Sequence, residues 1–166
     1  HSAKLLSEAV QIDTTVGDNI PDTDDWAEYW DSIFSPFADW IQTSFPHMHD
    51  TASPVRRELV NKHGLLYTWP GSDPTLKPIV LMSHQDVVPV ANETLDQWIH
   101  PPFSGHIDIE NQTVWGRGSV DCKLWLVSTI SAVERLRVRP SWPVAQKGQF
   151  IPQPAWLEMQ IVARRG

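Results

Sequence analysis

The sequence predicts an α/β fold, and three observations carry that expectation. Apolar residues recur at helical spacing in three stretches. Short runs bounded by turn residues read as strands. One run, Ile79-Val80-Leu81-Met82, is continuously apolar, as a buried central strand is. With 166 residues, 41% hydrophobic and 20% charged, the chain is long enough and apolar enough for one compact, soluble domain.

The elements follow in order. Leu5, Leu6, Ala9 and Val10 predict a short amphipathic helix over 2–12. An acidic stretch over 13–25 leads to Asp24 and Asp25, either of which suits a helix cap. A longer helix is expected from Trp26 toward Phe45, with Trp30, Ile33, Phe34, Phe37, Trp40 and Ile41 on one face. Pro36 predicts a kink there, or two helical pieces. Residues 58–61 and 65–69 read as paired strands turning at His63-Gly64, and 70–74 as a loop. Residues 106–109 and 113–115 flank Asn111 like a hairpin. A helix over 122–136 places Leu124, Val127, Ile130, Val133 and Leu136 on one side. The nine tryptophans are expected in the core or along a cleft wall.

The character changes after Leu136. Five of the 13 basic residues and only Glu158 of the 20 acids follow it. Pro140, Pro143, Pro152 and Pro154 exclude a regular helix or a central strand over 140–154. Two segments are therefore expected: 1–136 as the folded part, and 137–166 as a divergent, proline-rich, basic tail, poorly ordered and foreign to the ancestral fold. A misread or truncated gene product is one account of that change.

Composition limits the partners. A net charge of -7 implies no general nucleic-acid affinity. No apolar run is long enough to span a membrane. The single Cys122 permits no internal disulfide and does not decide the redox compartment. The start at His1 leaves room for an upstream signal or anchor. Asn92-Glu93-Thr94 and Asn111-Gln112-Thr113 are glycosylation sequons, relevant if the protein enters a secretory route. Nothing in the sequence sets an oligomeric state.

Two motifs carry chemistry. In Ser83-His84-Gln85-Asp86, the histidine and aspartate share a face of an extended chain at the carboxyl end of the apolar run. A neutral imidazole binds zinc, and a neighbouring carboxylate fixes its tautomer. A solvent-exposed pair at a strand end is the alternative. In Trp115-Gly116-Arg117-Gly118-Ser119-Val120-Asp121, two glycines permit a tight turn before the last predicted helix. Asp121 there either caps the helix or offers both oxygens to a metal pair. Ser83 lacks a nucleophile-elbow motif. His47 and His49 read as a solvated pair, His63 as a turn residue, and His100 and His106 as parts of an ordered loop.

Together the motifs resemble the carboxypeptidase S family, the vacuolar Gly-X carboxypeptidases of fungi. That family sits within the glutamate carboxypeptidase/aminoacylase superfamily of co-catalytic zinc peptidases. The carrying residues are 76–89, Thr94-Leu95-Asp96-Gln97-Trp98, Pro101-Pro102-Phe103-Ser104-Gly105 and Trp115-Gly116-Arg117-Gly118. The likeness is detailed over 59–136 and looser over 5–14 and 26–46. It implies the N-terminal part of a zinc-exopeptidase catalytic domain, a mixed sheet flanked by helices, without the inserted lid or dimerisation domain. It implies His84 as a zinc ligand, Asp86 as the catalytic-site residue orienting it, and Asp121 as the bridge between two zinc ions. It further implies a peptide substrate cleaved at its C-terminal bond, with N-acyl amino acids as an alternative. The location it implies is the vacuolar lumen or the secretory route.

The chain departs from that family in two ways. Cys122 stands where a second aspartate is usual, so it is either a soft ligand or a small packed apolar group. Leu124 and Trp125 are bulkier than usual and are expected to crowd the helix start. The resemblance also calls for a Glu-Glu pair holding the general base, another acidic ligand and a late histidine. After Asp121 the only acids are Glu134 and Glu158, and no histidine follows, so no general base is found. The chain alone is expected to be an incomplete, inactive portion or a non-catalytic remnant.

Overall fold

The computed structural model describes residues 1–17, 26–71, 73, 75–138 and 156–162. Helix α1 is Ser2–Gln11, α2 is Trp26–Ser44, α3 is Pro46–His49 and α4 is Lys123–Val138. The strands are β1 Arg56–Val60, β2 Gly64–Pro70, β3 Ile79–His84, β4 Ile107–Asp108, β5 Thr113–Val114 and β6 Trp156–Val162. A 3-10 turn covers Asn92–Gln97.

The main sheet has the order β1-β2-β6-β3, and β4-β5 form a separate hairpin. Strand β6 lies antiparallel to β2, with Tyr67 opposite Met159, and parallel to β3, with Leu81 opposite the same Met159. The fold is thus α/β with a mixed sheet, as expected. Strand β6 falls within the 137–166 stretch expected to be poorly ordered. Its sequence, Trp156-Leu157-Glu158-Met159-Gln160-Ile161-Val162, has no proline and is rich in strand formers. The proline-bearing segment 140–154 lies outside the described residues, as do Asp24 and Asp25.

One apolar core joins the helices to the sheet. It includes Leu5, Val10, Phe37, Ile41, Phe45, Met48, Leu65, Tyr67, Leu126 and Ile130. Helix α2 runs unbroken through Pro36 and buries Phe34, Phe37 and Ile41. Trp30 stacks on Phe34 with ring centroids 5.9 Å apart. The β1-β2 turn is Asn61-Lys62-His63 rather than His63-Gly64, with Asn61 and Lys62 at positive φ. The short α3 is capped from α4: Glu134 accepts 2.8 Å hydrogen bonds from the backbone N–H groups of His47 and Met48.

Further expectations change. The run 79–82 is not a buried central strand: β3 borders the sheet among the described strands, and Met82 is 71% exposed. Continuous apolarity says that a strand avoids water, not which neighbour covers it. The buried face of α4 is Lys123, Leu126, Val127, Ile130 and Val133, while Leu124 and Leu136 are exposed. The stripe is rotated because Lys123 turns inward. Consequently Leu124 and Trp125 face solvent rather than crowding the helix start, with Trp125 65% exposed. The tryptophans whose side chains are described are half-buried or, at Trp125, exposed. Their indole edges suit a boundary between core and water.

Candidate metal centre

Helix α1 and the segment leaving it hold the two chemical motifs together. Past α1, Thr14 donates its hydroxyl proton to the Gln85 carbonyl at 2.6 Å. The Val87 N–H donates to the Thr14 carbonyl, and the Val16 N–H to the Val87 carbonyl, which makes a parallel bridge between Thr15 and Val87. The strand end carrying His84 is thereby fixed against the exit of α1. The second motif is fastened to the same place. Lys123, wholly buried, donates from Nζ to the Ala9 carbonyl at 2.9 Å and the Ile12 carbonyl at 2.7 Å. Those carbonyls end a helix, where partial negative charge gathers and a cation is favoured. The ammonium also lies 5.1 Å from the Phe37 ring centroid. Burial pushes the Lys123 pKa down to about 8, opposed by the charge of Asp13.

The glycine-bearing turn then delivers Asp121. Gly118 has φ +81°, and a Cβ there would stand 2.5 Å from Val87 Cγ1. Only glycine lets this turn lie so close to the strand end.

The result is a small pocket in which His84, Asp86 and Asp121 meet. The His84 Nδ1 lies 2.9 Å from the Asp86 backbone oxygen and 3.5 Å from Asp86 Oδ1. Both are acceptors, and a proton on Nδ1 satisfies them. On the other side, Nε2 lies 3.0 Å from Asp121 Oδ1. In neutral imidazole that places a lone pair against a carboxylate, a contact satisfied by a proton or by a cation bound to both. The His84 side chain is 15% exposed and that of Asp121 is 87% exposed, so the pair is open to an ion from solvent. Cys122 joins them: donor atoms of His84, Asp121 and Cys122 all lie within 4.8 Å of one another. The donor set fits a divalent metal of the zinc class, with nitrogen, oxygen and sulfur ligands.

The structure therefore gathers His84, Asp86 and Asp121, and adds Cys122. It keeps Glu134 away from them, on the cap of α3. His49 is not solvated: Nδ1 is 2.8 Å from the Phe45 carbonyl and Nε2 is 3.0 Å from the Tyr67 hydroxyl. Burial lowers the His49 pKa and raises that of Tyr67 to about 12. His63 does sit in a turn, 3.3 Å from Asp31. His100 and His106 stack at 3.8 Å in their loop. Asn92 and Asn111 are both exposed. No described helix is long and apolar enough to cross a membrane. Lys123 is the residue that sequence reasoning missed. Its signal was available: with Leu126, Val127 and Ile130 it keeps the i, i+3, i+4, i+7 rhythm of a buried stripe.

Comparison with known proteins gives a consistent picture. Residues 80–151 match the sequence profile of the peptidase family M20/M25/M40. Carboxypeptidase S of Saccharomyces cerevisiae is 48% identical over 137 residues, covering 82% of this chain and 23% of that protein. The N-fatty-acyl-amino acid synthase/hydrolase PM20D1 of Mus musculus is 40% identical over 109 residues, 65% of this chain and 20% of that protein. The chain thus spans about a quarter or less of the length of these relatives. Among solved structures, the di-peptidase Dug1p from Saccharomyces cerevisiae superposes with TM-score 0.60 at 21% identity, over 98% of this chain and 31% of that one. The M20 family metallo-carboxypeptidase Sso-CP2 from Sulfolobus solfataricus superposes with TM-score 0.58 at 15% identity, over 97% and 30%. These likenesses show the fold as that of M20 peptidase catalytic domains, of which this chain matches one part.

Proposed function

We propose, proceeding from the similarity to carboxypeptidase S, that the chain belongs to the M20 peptidases and supplies the first part of their metal site. In this reading His84 is a zinc ligand through Nε2, Asp86 orients it, and Asp121 is the carboxylate shared between ions. The observation that carries the reading is the His84–Asp121 contact at 3.0 Å, with Nδ1 held by Asp86 on the far side. That arrangement fixes the tautomer a metal-binding histidine needs. Bound zinc would polarise a scissile carbonyl and lower the pKa of a water. The chain's own residues orient the imidazole and present the open carboxylate.

The activity proposed for the whole protein is release of the C-terminal residue of short peptides. The chain alone is proposed to be inactive. Glu134 is engaged in capping, and no other acid between Asp121 and Glu158 is present to serve as base. The test adds Zn2+ to the purified chain and follows both metal binding and cleavage of N-blocked dipeptides. Zinc binding that His84→Ala removes, without turnover, is expected. His84-dependent turnover would overturn the inactive reading and keep the peptidase reading. Absence of any zinc binding by the folded chain would sink the metal site.

The PM20D1 relatives favour a second reading, hydrolysis of N-acyl amino acids by the whole protein. Parallel assays of the native protein on a blocked dipeptide and an N-fatty-acyl amino acid separate the two. We place the protein in the secretory route or vacuolar lumen. Exposure of Asn92 and Asn111 supports this. A mass decrease on enzymatic deglycosylation of the native protein is expected, and an unchanged mass would count against it.

A further inference from the structure

We infer that Cys122 is a metal ligand, so that His84, Asp121 and Cys122 hold one divalent cation of the zinc class between them. This rests on the metal-site reading of His84 and Asp121 and goes beyond it. The resemblance places a carboxylate at position 122, and here the side chain is a thiol. The geometry brings that thiol to the site: its sulfur lies within 4.8 Å of both the His84 and Asp121 donor atoms. With metal–ligand bonds of about 2.0–2.3 Å, donors around a tetrahedral ion stand about 3.3–3.8 Å apart. The three donors are therefore within about 1 Å of closure around one ion, and two of them are already 3.0 Å apart.

The chemistry favours the same assignment. Three protein donors with one open position is the usual complement of a zinc ion that keeps a water. His84 and Asp121 alone fall one short of it. Cys122 is a free, half-buried thiol, directly next in the chain to Asp121, which lines the pocket. On binding, the Cys122 S–H bond breaks, the sulfur lone pair forms the metal–sulfur bond, and the proton passes to solvent. The site then selects zinc, cadmium or cobalt over magnesium and calcium, because a thiolate is a soft donor.

The test is optical titration of the whole chain with Co2+, with folding checked by far-ultraviolet circular dichroism. A near-ultraviolet thiolate-to-cobalt charge-transfer band is expected, alongside visible d–d bands of tetrahedral intensity. Cys122→Ser should lose the charge-transfer band and weaken Co2+ by about 10- to 100-fold or more. It should also release one proton fewer per ion in weak buffer. Cys122→Asp should bind Co2+ without the charge-transfer band. Cd2+ absorption of the unaltered chain gives the same thiolate signature without any variant. If Co2+ binds but Cys122→Ser changes neither spectrum nor affinity, the Cys122 assignment fails and the His84–Asp121 reading survives. If the folded chain binds neither Co2+ nor Cd2+, both fail together.

Discussion

Lys123 Nζ stands 2.7 Å from the Ile12 carbonyl, so the helix that begins beside Asp121 is fastened to the exit of α1. A second bond reaches Ala9 at 2.9 Å. Lys123→Met removes both hydrogen bonds and leaves two carbonyls without this donor, one in a buried and one in a part-buried position. A loss of about 2–4 kcal/mol in folding stability is expected, since each orphaned buried acceptor costs about 1–3 kcal/mol. Urea denaturation of the two chains measures it. A variant as stable as the parent would show that solvent reaches those carbonyls.

Asp86 touches the imidazole from the side away from Asp121. Asp86→Asn keeps the shape but removes the charge facing Nδ1. Zinc affinity should fall about 10- to 100-fold, the usual cost of losing a partner that orients a ligand. Competition with a chromophoric chelator reads this directly. Unchanged affinity would assign the orienting role to the Asp86 backbone oxygen alone.

Glu134 gives both carboxylate oxygens to the start of α3. Glu134→Gln retains one acceptor and replaces the other with a donor. We expect a loss of about 0.5–2 kcal/mol, as for other lost helix caps, with no change in metal affinity. Thermal melting beside a zinc titration checks both halves. A drop in zinc affinity without a drop in stability would return Glu134 to the site.

His49 gives a pH dependence. Burial holds its pKa below the ordinary value of 6.5 in the folded chain. As pH falls through 6.5 the unfolded chain takes up a proton first, so stability declines below that pH toward the lower folded value. His49→Gln does not titrate and should flatten this slope in denaturation midpoints taken between neutral and mildly acidic pH. An equal slope in the variant would trace the effect to another group.

Much of the fold was legible because local patterns decided it. The helices over 2–12 and 122–136 announced themselves through apolar spacing, which burial used as read in the first and rotated onto Lys123 and Leu126 in the second. Pro36 was the stronger local signal than its context warranted: α2 continues through it because Phe34, Phe37 and Ile41 anchor both sides in the core. The run 79–82 was misjudged because apolarity reports a preference, while burial depends on what lies alongside. In the site, His84, Asp86 and Asp121 were legible as residues, and their convergence was implied by the family resemblance alone, not by any local pattern. It depends on Thr14 and Lys123, whose partners lie far away in sequence and leave no short motif.

Those partners set when the pocket comes into being. The bond from Thr14 spans 71 residues, and those from Lys123 span 114 and 111. Contacts of such separation require long loops to close, at an entropic cost, so they are expected to form late in folding. An ion taken up by the proposed site would then meet a finished structure and not organise an unfinished one. Refolding should proceed at the same rate with or without Zn2+, and the metal should instead slow unfolding.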